Sequence, residues 1–322
     1  MIRHRVAALA AAYALAAAPA AATDVFLATS PAGTLFNSIA TATAKVVSDA
    51  GQVRVVVNPY GGGTQWLPLL DRGEVSMGLA SAIDTDDAGR GIGSYEGKPH
   101  PNIRVGGALA PLLFAMFVRG DSPAKTVADL KGLRIPTEFP TALVVVRAMS
   151  AYLASSGLGF ADFKPVPTSG LAQNVNDFKA GRVDIGTLPI GAGGLAEINT
   201  TVRGGIRYVT MDDAPAAQAR MRAVIPHVYT TVIRPGPAFV GIPEPITAMA
   251  YDTYMLFGKD VPETAVYAVV KAMHEGKDAL AATFPWFRAF DPAAMAKAFS
   301  IAYHPGAVKY YTEKGMWLPR RN

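Results

Sequence analysis

Four short loops in this chain gather glycine and hydroxyl residues: Ser30-Pro31-Ala32-Gly33-Thr34, Tyr60-Gly61-Gly62-Gly63-Thr64, Thr137-Glu138-Phe139-Pro140-Thr141 and Thr168-Ser169-Gly170. Each follows a β-rich run and precedes a segment of helical periodicity, so each lies where a helix begins. A helix start presents unpaired backbone N–H groups and about half a positive charge, which suits a carboxylate or a phosphate. Glycine lets backbone approach a guest closely, and the hydroxyls of Ser30, Thr34, Thr64, Thr137, Thr141 and Ser169 supply further donors. The same threonines also suit N-capping, worth about 1 kcal/mol each, so the binding argument rests on the four loops together. Micromolar affinity needs about −8 kcal/mol, whereas one charged hydrogen bond gives roughly 1.5–3, so donors must converge from several loops.

Residues suited to bond-making chemistry are not arranged for it. The five histidines, at 4, 100, 227, 274 and 304, follow no catalytic spacing, and Ser150, Ser155 and Ser156 lack a G-x-S-x-G context. The chain has no cysteine, which excludes disulfides, thiolate metal sites and a cysteine nucleophile. Asp84, Asp86 and Asp87 with Gly89 faintly resemble a calcium loop, but Tyr95 stands where the bidentate acid belongs. Those acids read as a solvated loop. No catalytic residue, metal or cofactor is expected.

The elements that must carry the loops are written twice. Residues 29–78 align without a gap on residues 137–186, an offset of 108, with ten identities that include Pro59/Pro167, Gly62/Gly170, Gly73/Gly181 and Gly78/Gly186. In the first copy Val25–Thr29 reads as a strand, Leu35 to Ala50 as a helix, Val53–Val57 as a strand, Thr64–Arg72 as a helix and Val75–Ala80 as a strand. The second copy gives strands at Leu133–Thr137, Phe163–Val166 and Val183–Leu188, with helices from Thr141 and from Gly170. Alternating strand and helix demands parallel pairing, hence an α/β fold with two lobes and a cleft at the strand ends. The expected first lobe is 23–110 with 212–322, and the second is 111–211. Leu109–Val118 reads as the first crossing, Arg207–Pro243 as a largely irregular return, and Ile246–Leu256 as one strand.

Met1–Ala22 has Arg3 and Arg5, an apolar run from Val6 to Ala18, and a small-residue end at Ala20-Ala21-Ala22. That is the pattern of a secretory signal peptide, which places the mature protein outside the cytoplasm. Loss of Arg3 and Arg5 lowers the net charge from +5 to +3, and no basic run interleaved with aromatics suggests nucleic acid.

Several stretches together resemble one family: Pro59–Leu79, Ser122–Ile135, Leu256–Met273 and the closing His304–Trp317 string HPGAVKYYTEKGMW. The chain resembles the TAXI family of solute receptors of tripartite ATP-independent periplasmic (TRAP) transporters. The resemblance implies a periplasmic-binding-protein fold of type II, a small carboxylate ligand such as glutamate or 2-oxoglutarate, and delivery to a permease of one small and one large subunit. It maps ligand loops onto Ser30–Phe36, Gly62–Gln65, Thr137–Ala142 and Pro189–Gly191. The candidate ligand residues are therefore Ser30, Gly33, Thr34, Phe36, Tyr60, Gly62, Gly63, Thr64, Gln65, Ser81, Thr137, Phe139, Thr141 and Pro189. Where the family has a Pro-Gly-Ser-Gly-Thr loop, this chain has Pro136 to Thr141, with Glu138 read as facing solvent in preference to holding an ammonium group, and Phe139 as favouring an aromatic or apolar ligand body. A monomer is expected, and the same fold feeding a membrane sensor or an ATP-driven importer is the alternative.

Overall fold

The apolar periodicities settle into alternating strands and helices in a computed structural model that describes residues 23–317. The leader Met1–Ala22 lies outside the described residues. The first copy forms β1 (Thr23–Thr29), α1 (Leu35–Asp49), β2 (Val53–Pro59), α2 (Gly63–Asp71) and β3 (Met77–Ser81), followed by α3 (Ala82–Arg90) and β4 (Ile103–Ala108). After the crossing come β5 (Leu112–Phe114) and β6 (Met116–Arg119). The second copy is β7 (Arg134–Glu138), α4 (Leu143–Ala154), β8 (Lys164–Thr168), α5 (Leu171–Lys179) and β9 (Gly186–Thr187). The chain continues through α6 (Leu195–Thr201), β10 (Ile206–Tyr208), α7 (Pro215–Val224), β11 (Tyr229–Ile233) and β12 (Ile246–Tyr251). It closes with β13 (Thr253–Gly258), α8 (Glu263–Glu275), α9 (Lys277–Thr283) and α10 (Pro305–Glu313).

This is a two-lobed α/β fold. One lobe is built on a five-stranded sheet in the order β2-β1-β3-β13-β4, and the other on smaller sheets, β11-β12-β5, β10-β6-β9 and β7-β8. Helix α1 lays Leu35, Ile39, Val46 and Val47 against the large sheet because these residues recur on one face. Two strands cross between the lobes side by side. Leu109 donates its N–H to Thr253 O at 2.9 Å, and the Thr253 hydroxyl donates to Ala110 O at 2.7 Å.

The duplication is geometric as well as textual. β1 and β2 run parallel with Thr29 opposite Pro59, and β7 and β8 run parallel with Thr137 opposite Pro167, the same register 108 residues on. Helices α2 and α5 end alike: Gly73 N bonds Leu70 O and Glu74 N bonds Leu69 O, while Gly181 N bonds Phe178 O and Arg182 N bonds Asp177 O. Both stops need a left-handed residue, and Gly73 (φ 76°) and Gly181 (φ 71°) supply it. The glycines before the two helices, Gly62 and Gly170, also share one backbone conformation.

Several expectations fail. Arg207–Pro243 is largely irregular as expected but is no simple return, since it holds α7 and β11, and Tyr229–Ile233 pairs with Ile246–Tyr251, which pairs in turn with β5. The segment 212–251, expected with the first lobe, is thus hydrogen-bonded into the second, and the return falls at Asp252. There the single strand expected over Ile246–Leu256 breaks into β12 and β13, which join different sheets. The run Leu109–Val118 likewise splits into β5 and β6. Asp84, Asp86 and Asp87 occupy no solvated loop. They lie on α3 at 4%, 7% and 1% exposure, because Ser81 Oγ caps Asp84 N at 3.0 Å and starts a helix there.

Gly78 lies flat beneath the buried Trp66, and a Cβ added there meets the indole at 2.2 Å. Gly78→Ala should therefore cost about 1–3 kcal/mol through overpacking. Urea denaturation measures it, and an unchanged midpoint would show that the indole can move aside.

Candidate ligand-binding site

The lobes meet along the loops of the two copies. Thr64 Oγ1 of α2 accepts the Leu143 N–H of α4 at 3.1 Å, and the Thr141 hydroxyl points to Gly61 O at 3.4 Å. Gly194 N donates to Gly33 O at 2.9 Å, and Arg147 of α4 faces Asp87 of α3 across the seam at 3.1 Å. Glycine permits this approach: a Cβ on Gly62 falls 2.3 Å from Thr141 O, and one on Gly61 falls 2.8 Å from Thr141 Cβ.

Behind this seam lies a hollow of about 60 Å³. An apolar cavity of about 150 Å³ takes benzene, so this hollow as it stands is small for an organic solute of ordinary size. Helix starts converge here. Gly62 and Gly63 of α2, Ala142 and Val144 of α4, and Leu171 of α5 line the hollow, and none of these three helices has a side-chain N-cap. Their first-turn donors are the polar asset of the site. The walls are apolar, with Phe36, Trp66, Leu79, Leu112, Phe114 and Val145.

Of the residues expected from sequence, Ser30, Phe36, Gly62, Gly63, Ser81 and Pro189 line the hollow. Thr64, Thr141 and Gly33 stand just outside it and bind one lobe to the other. Thr34 caps α1, accepting from Asn37 N at 3.3 Å while donating to Pro31 O at 2.6 Å. Gln65 Oε1 accepts the Gly61 N–H at 2.7 Å and braces the loop. Tyr60 packs against the core, and Thr137 stays on β7, away from the hollow. Phe139 faces no ligand space. The loop passes through left-handed backbone at Glu138 (φ 78°) and Phe139 (φ 44°), which turns the ring into the lobe interior at 0% exposure, while Glu138 is exposed as read. The burial of that ring, worth about 1.5–3 kcal/mol, offsets a left-handed conformation that costs roughly 1–2 per residue.

Sequence reasoning missed Asp84, Thr187 and Tyr251, which also line the hollow. The spacing Ser81-x-x-Asp84 before an apolar-poor helix was the available signal for α3. No Lys, Arg or His is among the described residues lining the hollow. Burial pushes the Asp84 carboxyl up to about 7, the neighbouring Asp87 adds to this, and the Tyr95 hydroxyl, 3.4 Å away, and Arg147 pull the other way. Asp87 is itself raised to about 6 by burial, against the pull of Arg147 and of the Ser94 amide. Tyr251 is driven well above the ordinary tyrosine range by burial and by the charge of Asp84. Among the described residues no cluster of His, Asp or Glu is arranged to hold a metal ion, and no helix is long and apolar enough to cross a membrane.

A hollow between two α/β lobes, ringed by helix starts, is the architecture this chain shares with solved two-lobed binding proteins. The fold is similar to the periplasmic binding protein BugD (15% identity, 91% of this chain and 94% of that one, TM-score 0.57). It is also similar to MatC of Rhodopseudomonas palustris with bound malate (13% identity, 91% and 96%, TM-score 0.55). The alkanesulfonate-binding protein SsuA of Xanthomonas axonopodis pv. citri, bound to MOPS, matches at 16% identity, 95% and 96% coverage and a TM-score of 0.50. Residues 27–315 match the NMT1-like family, and the chain belongs to it.

Because the folded state raises the Asp84 pKa, its burial favours the neutral acid. The stability this allows is complete below about pH 4, declines as pH rises through about 7, and is flat above. Asp84→Asn should therefore stabilise the protein at pH 8, by a few kcal/mol at most, and leave it unchanged near pH 4. Melting curves across that range measure it, and a variant less stable than wild type at pH 8 would contradict this account.

Proposed function

We propose that this protein is an extracytoplasmic solute receptor: it captures a small organic acid by closing two lobes and hands it to a membrane permease. The observation that carries this reading is the convergence of three uncapped helix starts from both lobes on one hollow. An acid group seated there gains donors that neither lobe supplies alone, so binding favours the closed form. Residues 23–110 and 252–317 make the first lobe, 111–251 the second, and the paired crossings at Ala110 and Asp252 the hinge. Ser30, Gly62, Gly63, Ser81 and Pro189 are the expected contacts.

The finer identity follows the family resemblance: a TAXI-type receptor serving a TRAP permease with a small and a large subunit. It acts as a monomer in the periplasm after removal of Met1–Ala22. A receptor of this kind needs no catalytic residues and no cofactor.

A screen of C3–C8 carboxylates by thermal melting tests the reading. One or more should raise the midpoint in proportion to the logarithm of concentration and remain unconsumed. A shift confined to neutral sugars, or turnover of the added compound, would sink it. Gly62→Ala places a methyl 2.3 Å from Thr141 O, so it should hold the lobes apart and weaken the same acid by about fivefold or more. Titration calorimetry reads the affinity, and small-angle scattering should show a larger particle. Unchanged affinity would mean that closure does not pass through this contact.

A further inference from the structure

We propose that Asp84 selects the solute: the ligand brings a cationic nitrogen with N–H donors to the Asp84 carboxylate, beside Thr187, while its acid group faces the helix starts. The inference rests on the receptor reading above and narrows its ligand from an acid to an amphoteric compound with an apolar body.

Three observations carry it. First, Asp84 is 4% exposed and lines the hollow, yet Lys and Arg are missing from the described residues that line it. The cation nearest in role, Arg147, is turned to Asp87 at 3.1 Å. A carboxylate has about four acceptor positions. Among the described residues, Asp84 receives one hydrogen bond, from Tyr95 at a long 3.4 Å. A buried charge is normally paired, and the partner missing from the protein is what a cationic guest provides.

Second, the approach to this carboxylate is kept open. A Cβ on Gly63 falls 2.8 Å from Asp84 Oδ2, so any other residue at 63 crowds the oxygen that a guest must reach. Third, Thr187 lines the same hollow at 1% exposure, and among the described residues its buried hydroxyl has no hydrogen-bond partner. Buried hydroxyls are rarely left so. Thr187 comes from the lobe opposite α3, so a donor-bearing group held between Asp84 and Thr187 bridges the lobes. The aromatic walls, Phe36, Trp66 and Phe114, suit the uncharged remainder.

The test uses three compounds of each shape: leucine, 4-methylpentanoate and 3-methylbutylamine; phenylalanine, 3-phenylpropanoate and 2-phenylethylamine; valine, 3-methylbutanoate and 2-methylpropylamine. Calorimetry and thermal melting at pH 8 are run on the wild-type mature chain and on Asp84→Asn. In at least one shape the amino acid should bind tenfold or more tightly than its desamino acid, and Asp84→Asn should shrink that preference to about twofold or less. Amines that bind without the acids, and lose binding in Asp84→Asn, would keep the role of Asp84 and remove the acid reading. Desamino acids that bind as well as the amino acids would overturn the role of Asp84 and leave the receptor reading standing. That outcome would point to a neutral Asp84 donating to the ligand's acid group. A preference retained in Asp84→Asn, or silence across all nine compounds, would also overturn it.

Discussion

The structure depends on helix starts that their own residues do not cap. α2, α4 and α5 begin at Gly63, Leu143 and Leu171 without a side-chain cap, yet they begin at the seam, where bulk water is scarce. A buried donor without a partner costs roughly 1–3 kcal/mol, and while Gln65 N and Val145 N bond Gly62 O and Ala142 O locally, the first donors of each helix are left to groups across the cleft or to a guest. Thr64 answers one of them, that of Leu143. The remainder make the hollow hungry for an acceptor, and this ties the fold to its use. A capping serine at 142 would satisfy its helix locally, whereas at 62 the close approach of Thr141 O leaves room for glycine alone.

The chain path turns that local demand into a motion. Both crossings lie side by side and share Thr253, whose backbone and hydroxyl bind Leu109 and Ala110. Ala82 N also donates to Asp252 O at 2.8 Å, so the start of α3 is fastened to the hinge. Tyr251, one residue before the break between β12 and β13, lines the hollow. The hinge, the acid-bearing helix and the ligand space are therefore one connected unit. A change of angle at Asp252 must alter the distance between Asp84 on one lobe and Thr187 on the other.

Much of this was legible in the residues. The repeat fixed the pairing of β1 with β2 and of β7 with β8, and the placement of the four loops at helix starts, because glycine and proline mark turns wherever they stand. Asp84 was not legible, for a physical reason. A run of Asp84, Thr85, Asp86 and Asp87 reads as surface, since isolated carboxylates are seldom buried. Their burial depends on Arg147, Arg90 and Ser300, which lie far off in sequence. The return point at 252 was hidden likewise, because β12 and β13 form one apolar run whose break shows only in which sheet each half joins. Phe139 misled through its type: an aromatic in a ligand loop suggests contact, but the backbone angle decides where the ring goes.

The charge arrangement at the seam separates two tasks that a simpler site would merge. Arg147 does not line the hollow; it spans the lobes to Asp87, whose side chain is almost wholly buried. The desolvation of such a pair cancels much of its attraction, so its value lies less in stability than in register: the two charges meet in one relative position of the lobes. With the guanidinium committed to alignment, the acid of the proposed function would be recognised by backbone donors, which do not titrate. Asp84 is the one acid among the described residues lining the hollow, and no cation lines it beside Asp84. Under the proposal above, a cleft closed by an internal ion pair therefore leaves discrimination between solutes to that one carboxyl group.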